Sequence, residues 1–333
     1  MPTPAKKAKA RPNPPKDHIV LPDGRTLGFG DYGAPDGLPI FAFHGTPGSR
    51  FMLRAGDATA RRAGVRLIAP ERPGYGLSSY QRNRTLRGWA DDVAALADAL
   101  GVKTFAVAGI SGGGPYAAAC AALLPERVLA AALISPVGPM AGPERPEKIG
   151  RGHYSTFRLL PRVPHFYRGA FNFGRLAFLY APLPIYALIM SRASSQDWKI
   201  LSRREVRLSL LGGVAEGVRP GVRGALEEMR IFSRPWDLPL GDIKASCFLW
   251  QGMADRNVPP AAALRLGELI PGCRVTRVEG AGHYWVFDHL AEVLETLKAA
   301  AQKSPLPEAR PGAIVETATT KKPKAAKRMK RSS

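Results

Sequence analysis

The reactive potential of this sequence is concentrated in three side chains that lie far apart along the chain. Ser111 sits in Gly109-Ile110-Ser111-Gly112-Gly113, after the apolar run Phe105-Ala106-Val107-Ala108 and before the alanine-rich Tyr116-Ala117-Ala118-Ala119. That order reads as a buried strand, a tight turn and a helix, the setting in which G-x-S-x-G has mechanical meaning. Glycines permit a turn sharp enough to lift the hydroxyl out of a sheet, and the first turn of the following helix offers free N–H groups to an anion. A serine hydroxyl is a weak nucleophile at neutral pH. It needs a histidine to take its proton and a carboxylate to hold that ring in the right tautomer. Both follow in order: Asp255 closes Gln251-Gly252-Met253-Ala254-Asp255, and His283 closes Glu279-Gly280-Ala281-Gly282-His283. Each lies just past a run that reads as a strand. His18, His153, His165 and His289 have no comparable setting. Asp255 taken alone also reads as a turn former ahead of Val258-Pro259, and the loop after Ile134 offers no carboxylate before Glu144.

Acyl chemistry at Ser111 would put negative charge on a tetrahedral oxygen, and losing one preorganised donor to it typically costs about 3 kcal/mol of barrier. The Gly112 N–H is one candidate donor. The second is expected from His44-Gly45-Thr46-Pro47-Gly48, where Pro47 has no N–H and the Thr46 N–H is the candidate. His44 itself is expected to order that loop by hydrogen bonding rather than to exchange protons.

These residues must be positioned by the elements between them. Residues 18–32 read as a hairpin around Pro22-Asp23-Gly24-Arg25. After it, strands at 39–43, 66–69, 104–110 and 129–134 alternate with helices at 50–62, 86–100 and 113–124. The rhythm resumes with strands at 247–250 and 274–278 and helices at 260–270 and 290–301. Short alternating units imply a parallel sheet with helices on both faces, and in such a sheet residues at the strand ends on one edge converge on one crevice. From about 136 to 236 the rhythm breaks, which marks an insertion. The expected division is a core of 17–137 and 236–303, a lid over 138–235, and basic tails at 1–16 and 304–333.

The formal net charge is +21 over 333 residues. Residues 1–16 hold five Lys/Arg and no acid, and residues 298–333 hold ten Lys/Arg against Glu308 and Glu316, so the ends carry 13 of those charges. Their composition predicts disorder and allows at most a non-specific, salt-sensitive contact with polyanions. No secretory signal pattern follows the first lysines, so a cytoplasmic protein is expected. Cys120, Cys247 and Cys273 read as buried thiols with no metal-ligand spacing. The apolar window 171–190 is long enough to span a membrane, but Arg175, Pro182 and Pro184 interrupt it, so it reads as part of a buried or lipophilic lid rather than a transmembrane segment.

Taken together, H-G-T-P-G, the Glu71 to Ser78 run E-R-P-G-Y-G-L-S, G-I-S-G-G, G-M-A-D-R-N-V-P and G-A-G-H resemble the α/β-hydrolase superfamily over about 17–302. The resemblance implies an eight-stranded, mostly parallel sheet flanked by helices, with a helical cap inserted after the sixth strand. It implies that Arg72 to Ser78 shape a loop near the pocket, and it implies an esterase-like hydrolase needing no cofactor. Because the elbow holds serine and not aspartate, dehalogenase and epoxide-hydrolase chemistry is disfavoured. Tyr284 and Trp285 are expected to wall the pocket. Most of Phe157, Phe166, Tyr167, Phe171, Phe173, Phe178, Tyr180 and Tyr186 are expected to form the lid's own core, with a few facing the crevice. The arginines at 151, 158, 162, 168 and 175 are read as solvated, or else as attracting an anionic substrate or an acidic surface. The expected substrate is a small hydrophobic ester, less readily an amide or a carbon–carbon bond. The rival from another class is a non-catalytic receptor or scaffold on the same fold, with the basic tails as its working part.

Overall fold

A computed structural model describes residues 17–148, 150, 157 and 163–304. The segments expected to be disordered tails, apart from Ser304, lie outside the described residues. An eight-stranded sheet forms the centre. Its strands are β1 (His18–Val20), β2 (Thr26–Gly33), β3 (Leu38–Phe43), β4 (Val65–Pro70), β5 (Phe105–Ile110), β6 (Val128–Ile134), β7 (Ser246–Gly252) and β8 (Arg274–Val278), in the spatial order β1-β2-β4-β3-β5-β6-β7-β8. β1 pairs with β2, and β2 with β4, in antiparallel fashion, and all other pairs are parallel. The first hairpin turns at Gly24, whose φ of 84° suits a residue without a Cβ.

Burial explains why the central strands are continuous apolar runs. β6, Val-Leu-Ala-Ala-Ala-Leu-Ile, is buried at every position because helices cover both faces. Side chains alternate between those faces. Phe105 and Val107 of β5 join the cluster under α2 (Leu86–Ala99), α3 (Gly114–Leu123) and the later helix α9 (Pro260–Glu268). Ala106 and Ala108 join the opposite cluster, under α1 (Asp57–Ala63) and the closing helix α10 (Val286–Lys303). α2 begins where the Thr85 hydroxyl accepts the Gly88 N–H at 3.0 Å. It buries Trp89, Val93 and Leu96. The stretch expected as one helix over 50–62 is instead a 3₁₀ segment, Arg50–Gly56, followed by α1. At the junction the Asp57 carboxylate accepts the Gly33 N–H at 2.7 Å and ties the helix start to β2.

Among the described residues, five further α-helices lie between β6 and β7: α4 (Pro164–Tyr180), α5 (Pro182–Ser191), α6 (Ser195–Leu201), α7 (Arg204–Val218) and α8 (Arg223–Phe232). α4 and α5 part at Ala181, with Pro182 opening α5, and their axes differ by 112°. Among the described residues no single helix is long and apolar enough to cross a membrane.

Two expectations about this insertion are corrected. Its aromatics do not mainly form an internal core: Phe157, Phe178 and Tyr186 are buried, whereas Phe166, Phe173 and Tyr180 are exposed. The reason is orientation, since α4 turns one aromatic stripe outward. Arg175 is not simply solvated either: it donates from Nε to the Val218 carbonyl at 2.7 Å and from an Nη to the Arg219 carbonyl at 3.1 Å, at the C-terminus of α7, where a cation is favoured. Arg168 is exposed. Arg151, Arg158 and Arg162 lie outside the described residues. The three cysteines are free, with Cys120 and Cys247 buried and Cys273 half-buried.

Candidate active site

The elbow is built by a strand that ends and a helix that starts with almost no loop between them. Ser111 follows β5 directly and has a φ of 55°, a left-handed value that a side-chain-bearing residue seldom adopts. The turn is tight enough that a Cβ on Gly109 would lie 2.3 Å from the Gly113 carbonyl oxygen, so only glycine fits there. Ser111 is half-buried. Among the described residues its hydroxyl makes no hydrogen bond, to the His283 ring or to any other group. Both side chains line the same cavity.

β5 and β8 are separated by β6 and β7, three strand spacings or about 14 Å, so the loop carrying His283 must turn back across two strand ends. It does so by backbone and side-chain anchors. The Met253 N–H donates to the Val278 carbonyl at 3.1 Å and the Ala254 N–H to the Ala281 carbonyl at 2.8 Å, which binds the loops after β7 and β8 together. Trp285 reaches further, its indole N–H donating to the Ser135 hydroxyl at 3.1 Å beyond the end of β6. Trp285 is thus a buried anchor in the sheet's core and does not wall the pocket as expected, because its ring is spent on spanning the strands; Tyr284 does line the cavity.

His283 Nδ1 lies 2.7 Å from Asp255 Oδ2. A carboxylate only accepts, so Nδ1 carries the proton and Nε2 is left as an acceptor. The other carboxylate oxygen, Oδ1, accepts the N–H groups of Asn257 at 2.7 Å and Val258 at 2.9 Å. The two readings of Asp255, turn former and histidine partner, therefore hold together. Burial pushes the Asp255 carboxyl up, but the His283 ring and these amides outweigh it and hold the group below its ordinary value. Burial pushes the His283 ring down, and the facing Asp255 charge, its hydrogen bond and Asp197 more than reverse that, so the ring sits above its ordinary value.

The loop carrying Thr46 lies against the elbow: a Cβ on Gly112 would come 2.1 Å from Thr46 Oγ1. Buried His44 donates from Nδ1 to the Gly45 carbonyl at 2.8 Å, and its Nε2 faces the Arg72 N–H at 3.5 Å. Burial, and then Arg72, push its pKa well down. The ring is neutral and orders the loop, as expected. Arg72, fully buried, donates to the His44 carbonyl at 2.6 Å and to the Gly45 carbonyl at 3.2 Å. Its partner is Glu228 from α8, which also accepts from the Thr46 hydroxyl and from the Tyr75 hydroxyl at 2.7 Å and forms an ion pair with Arg84 at 3.1 Å. Burial pushes the Glu228 carboxyl up, yet Arg72 and Arg84 outweigh it and hold the group at about 2.

Glu228 and Asp197 are the residues that sequence reasoning missed. The buried Asp197 accepts the N–H groups of His283 and Tyr284, each at 2.8 Å. Ser194-Ser195-Gln196-Asp197 carries the S-x-x-D signal of a helix start, and the Ser194 hydroxyl accepts the Asp197 N–H at 3.1 Å. That signal locates α6, but nothing local says that the carboxylate reaches a loop 86 residues away.

A cavity of about 770 Å³ joins these parts. Thr46, Ser111, Gly112 and His283 supply polar groups, and Met52, Val137, Phe178, Tyr186, Leu211 and Phe232 are among the many apolar side chains around them. Apolar walls with a few convergent polar groups suit a small hydrophobic molecule.

A model of the family described as alpha/beta hydrolase fold matches residues 39–290. A non-heme chloroperoxidase from Streptomyces lividans is 35% identical over 129 residues, covering 37% of this chain and 45% of that protein. A bifunctional esterase/perhydrolase from Acinetobacter calcoaceticus is 34% identical over 125 residues, covering the same shares. The chain thus spans about half the length of these curated relatives. The crystal structure of an enol-lactonase from Burkholderia xenovorans LB400 superposes with a TM-score of 0.63 at 17% identity, covering 86% of this chain and all of that one.

Proposed function

The chain belongs to the alpha/beta hydrolase fold family, and we propose that it is a serine hydrolase of carboxylic esters with Ser111 as nucleophile, His283 as base and Asp255 as the carboxylate that orients the base. The observation that carries this reading is the 2.7 Å bond from His283 Nδ1 to Asp255, made beside the same cavity into which a left-handed elbow turns Ser111. Ser111 Oγ attacks the ester carbonyl carbon while its proton passes to His283 Nε2. The resulting oxyanion takes hydrogen bonds from the N–H groups of Thr46 and Gly112. When the carbon–oxygen bond breaks, the imidazolium returns the proton to the leaving alcohol and an acyl-serine remains. Water then repeats the sequence, giving its proton to Nε2, and collapse restores the serine hydroxyl and releases the acid. The serine–histidine hydrogen bond needed for the first step is of a kind that often tightens only in the substrate complex.

The esterase named in one relative supports an ester bond, and the apolar cavity supports a hydrophobic acyl or alkyl group. Labelling with a fluorophosphonate, followed by turnover of p-nitrophenyl esters of graded chain length, tests the reading. The parent chain labels and turns over. Ser111→Ala loses both, by on the order of 10⁴-fold or more in turnover, with thermal stability unchanged. Absence of serine-dependent labelling sinks the enzyme reading in favour of a non-catalytic member of the family.

A further inference from the structure

The α4–α5 pair is the part of the surface that a hydrolase core does not account for. Phe166, Phe173 and Tyr180 are spaced seven residues apart, which puts them on one side of α4, and they are 74%, 75% and 85% exposed. Ala170 and Leu176 fill the same stripe and are exposed too. Beyond the bend, Leu183 and Leu188 of α5 are 61% and 56% exposed. A helix on a globular body ordinarily turns its apolar stripe to the core and its charges to water. Here the outer face is aromatic, and a contiguous patch of this kind marks an interaction surface.

Charge says what that surface meets. Between Glu147 and Asp197 the sequence has no acidic residue and seven basic ones. Of these, Arg168 and Arg192 stand exposed on or beside the two helices; Lys199, just past Asp197, is exposed on α6 as well. An aromatic stripe on one side of a helix, in a segment whose charged residues are all basic, is the pattern of a helix that lies in a lipid headgroup region. The 112° bend prevents the pair from crossing a bilayer as one rod. Leu188 and Arg192 also belong to the wall of the cavity that holds Ser111 and His283, so the cavity reaches the surface at the edge of this patch.

We infer that α4 and α5 form an interfacial anchor that seats the protein on an anionic phospholipid bilayer, with Phe166, Phe173 and Tyr180 in the headgroup–acyl boundary and the cavity mouth beside it. The anchor stands on its own geometry and does not depend on Ser111 being a nucleophile. Flotation of the full chain with phosphatidylcholine vesicles, with and without about one-third phosphatidylglycerol, tests it at physiological and at raised salt. The parent chain floats with the anionic vesicles and keeps part of that binding at raised salt, where contact by the basic chain ends is screened. The triple variant Phe166→Ser, Phe173→Ser, Tyr180→Ser loses the salt-resistant binding by about tenfold or more, with the same melting temperature and the same turnover of a soluble ester, since none of the three side chains lines the cavity. In a separate Phe173→Trp chain, bromine-labelled acyl chains quench fluorescence more than in the parent. Equal salt-resistant flotation of parent and triple variant overturns the anchor. So does a parent that ignores vesicles but self-associates where the triple variant stays monomeric, an outcome that assigns the face to a second copy of this chain.

Discussion

At the scale of single residues, the proposed chemistry turns on how two opposing influences settle at His283. Burial alone would keep the ring neutral to well below its ordinary pKa. The Asp255 charge at 2.7 Å, helped by Asp197, raises it instead. A base must be neutral to accept the serine proton, and the ring is protonated below its pKa. The acid limb of kcat/KM for a p-nitrophenyl ester should therefore have its midpoint above the ordinary histidine value of 6.5, with activity lost as pH falls through it. Asp197→Asn removes one charge that favours the imidazolium, so its limb moves to lower pH. A limb at or below the ordinary value in the parent, or an unmoved limb in Asp197→Asn, refutes the electrostatic assignment. The three proposed catalytic residues were legible in the sequence because Ser111 stands between an apolar run and a pair of glycines, and Asp255 and His283 each close a short glycine-containing loop just past a run that reads as a strand, signals confined to a few neighbours. Asp197 and Glu228 were not, since their partners lie 86 and 156 residues away in sequence and no local pattern encodes that pairing.

At the scale of elements, the helices between β6 and β7 hold the site from two sides. α6 supplies Asp197 to the amides beneath His283, and α8 supplies Glu228 to Arg72 and to the Thr46 hydroxyl. Glu228 is fully buried, and its pKa of about 2 lies below the ordinary carboxyl value. A group depressed in this way contributes stability that is fully present above its unfolded pKa and is lost as pH falls through the folded one. Glu228→Gln leaves Arg72 and Arg84 as buried charges without their counter-ion, a change that typically costs about 3–5 kcal/mol. We expect a clear fall in melting temperature at neutral pH that narrows as both proteins are titrated toward pH 2. Equal melting temperatures at neutral pH would show that the ion cluster does not hold α8 to the core. The central strands were readable as continuous apolar runs, and α2 from its spaced apolar residues Trp89, Val93 and Leu96. The outward turn of α4 was not readable, because an amphipathic period gives the relative positions of side chains on a helix but not which side meets the core.

Across the whole molecule, the last described residue and the candidate site lie at opposite ends of the sheet's strands. The strand C-termini carry Ser111, Asp255 and His283, whereas the last described residue, Ser304, follows α10 and donates its hydroxyl to the Leu129 carbonyl at 3.0 Å, near the start of β6. The five residues from Leu129 to the far end of that strand, at 3.3 Å each, separate Ser304 from the elbow's edge by roughly 16 Å. That is about two Debye lengths at physiological salt, so a charge held at the position of Ser304 is largely screened before it reaches the cavity. Deleting residues 305–333 should leave kcat/KM for a short soluble ester within about twofold of the parent at physiological salt, and the melting temperature unchanged. Only at low ionic strength, where screening weakens, should an anionic ester distinguish the two proteins, turning over more slowly after the deletion because steering toward the molecule is lost. A large loss on the short neutral ester at physiological salt would mean that the segment contacts the site or the sheet, and the separation of charge from chemistry would fail.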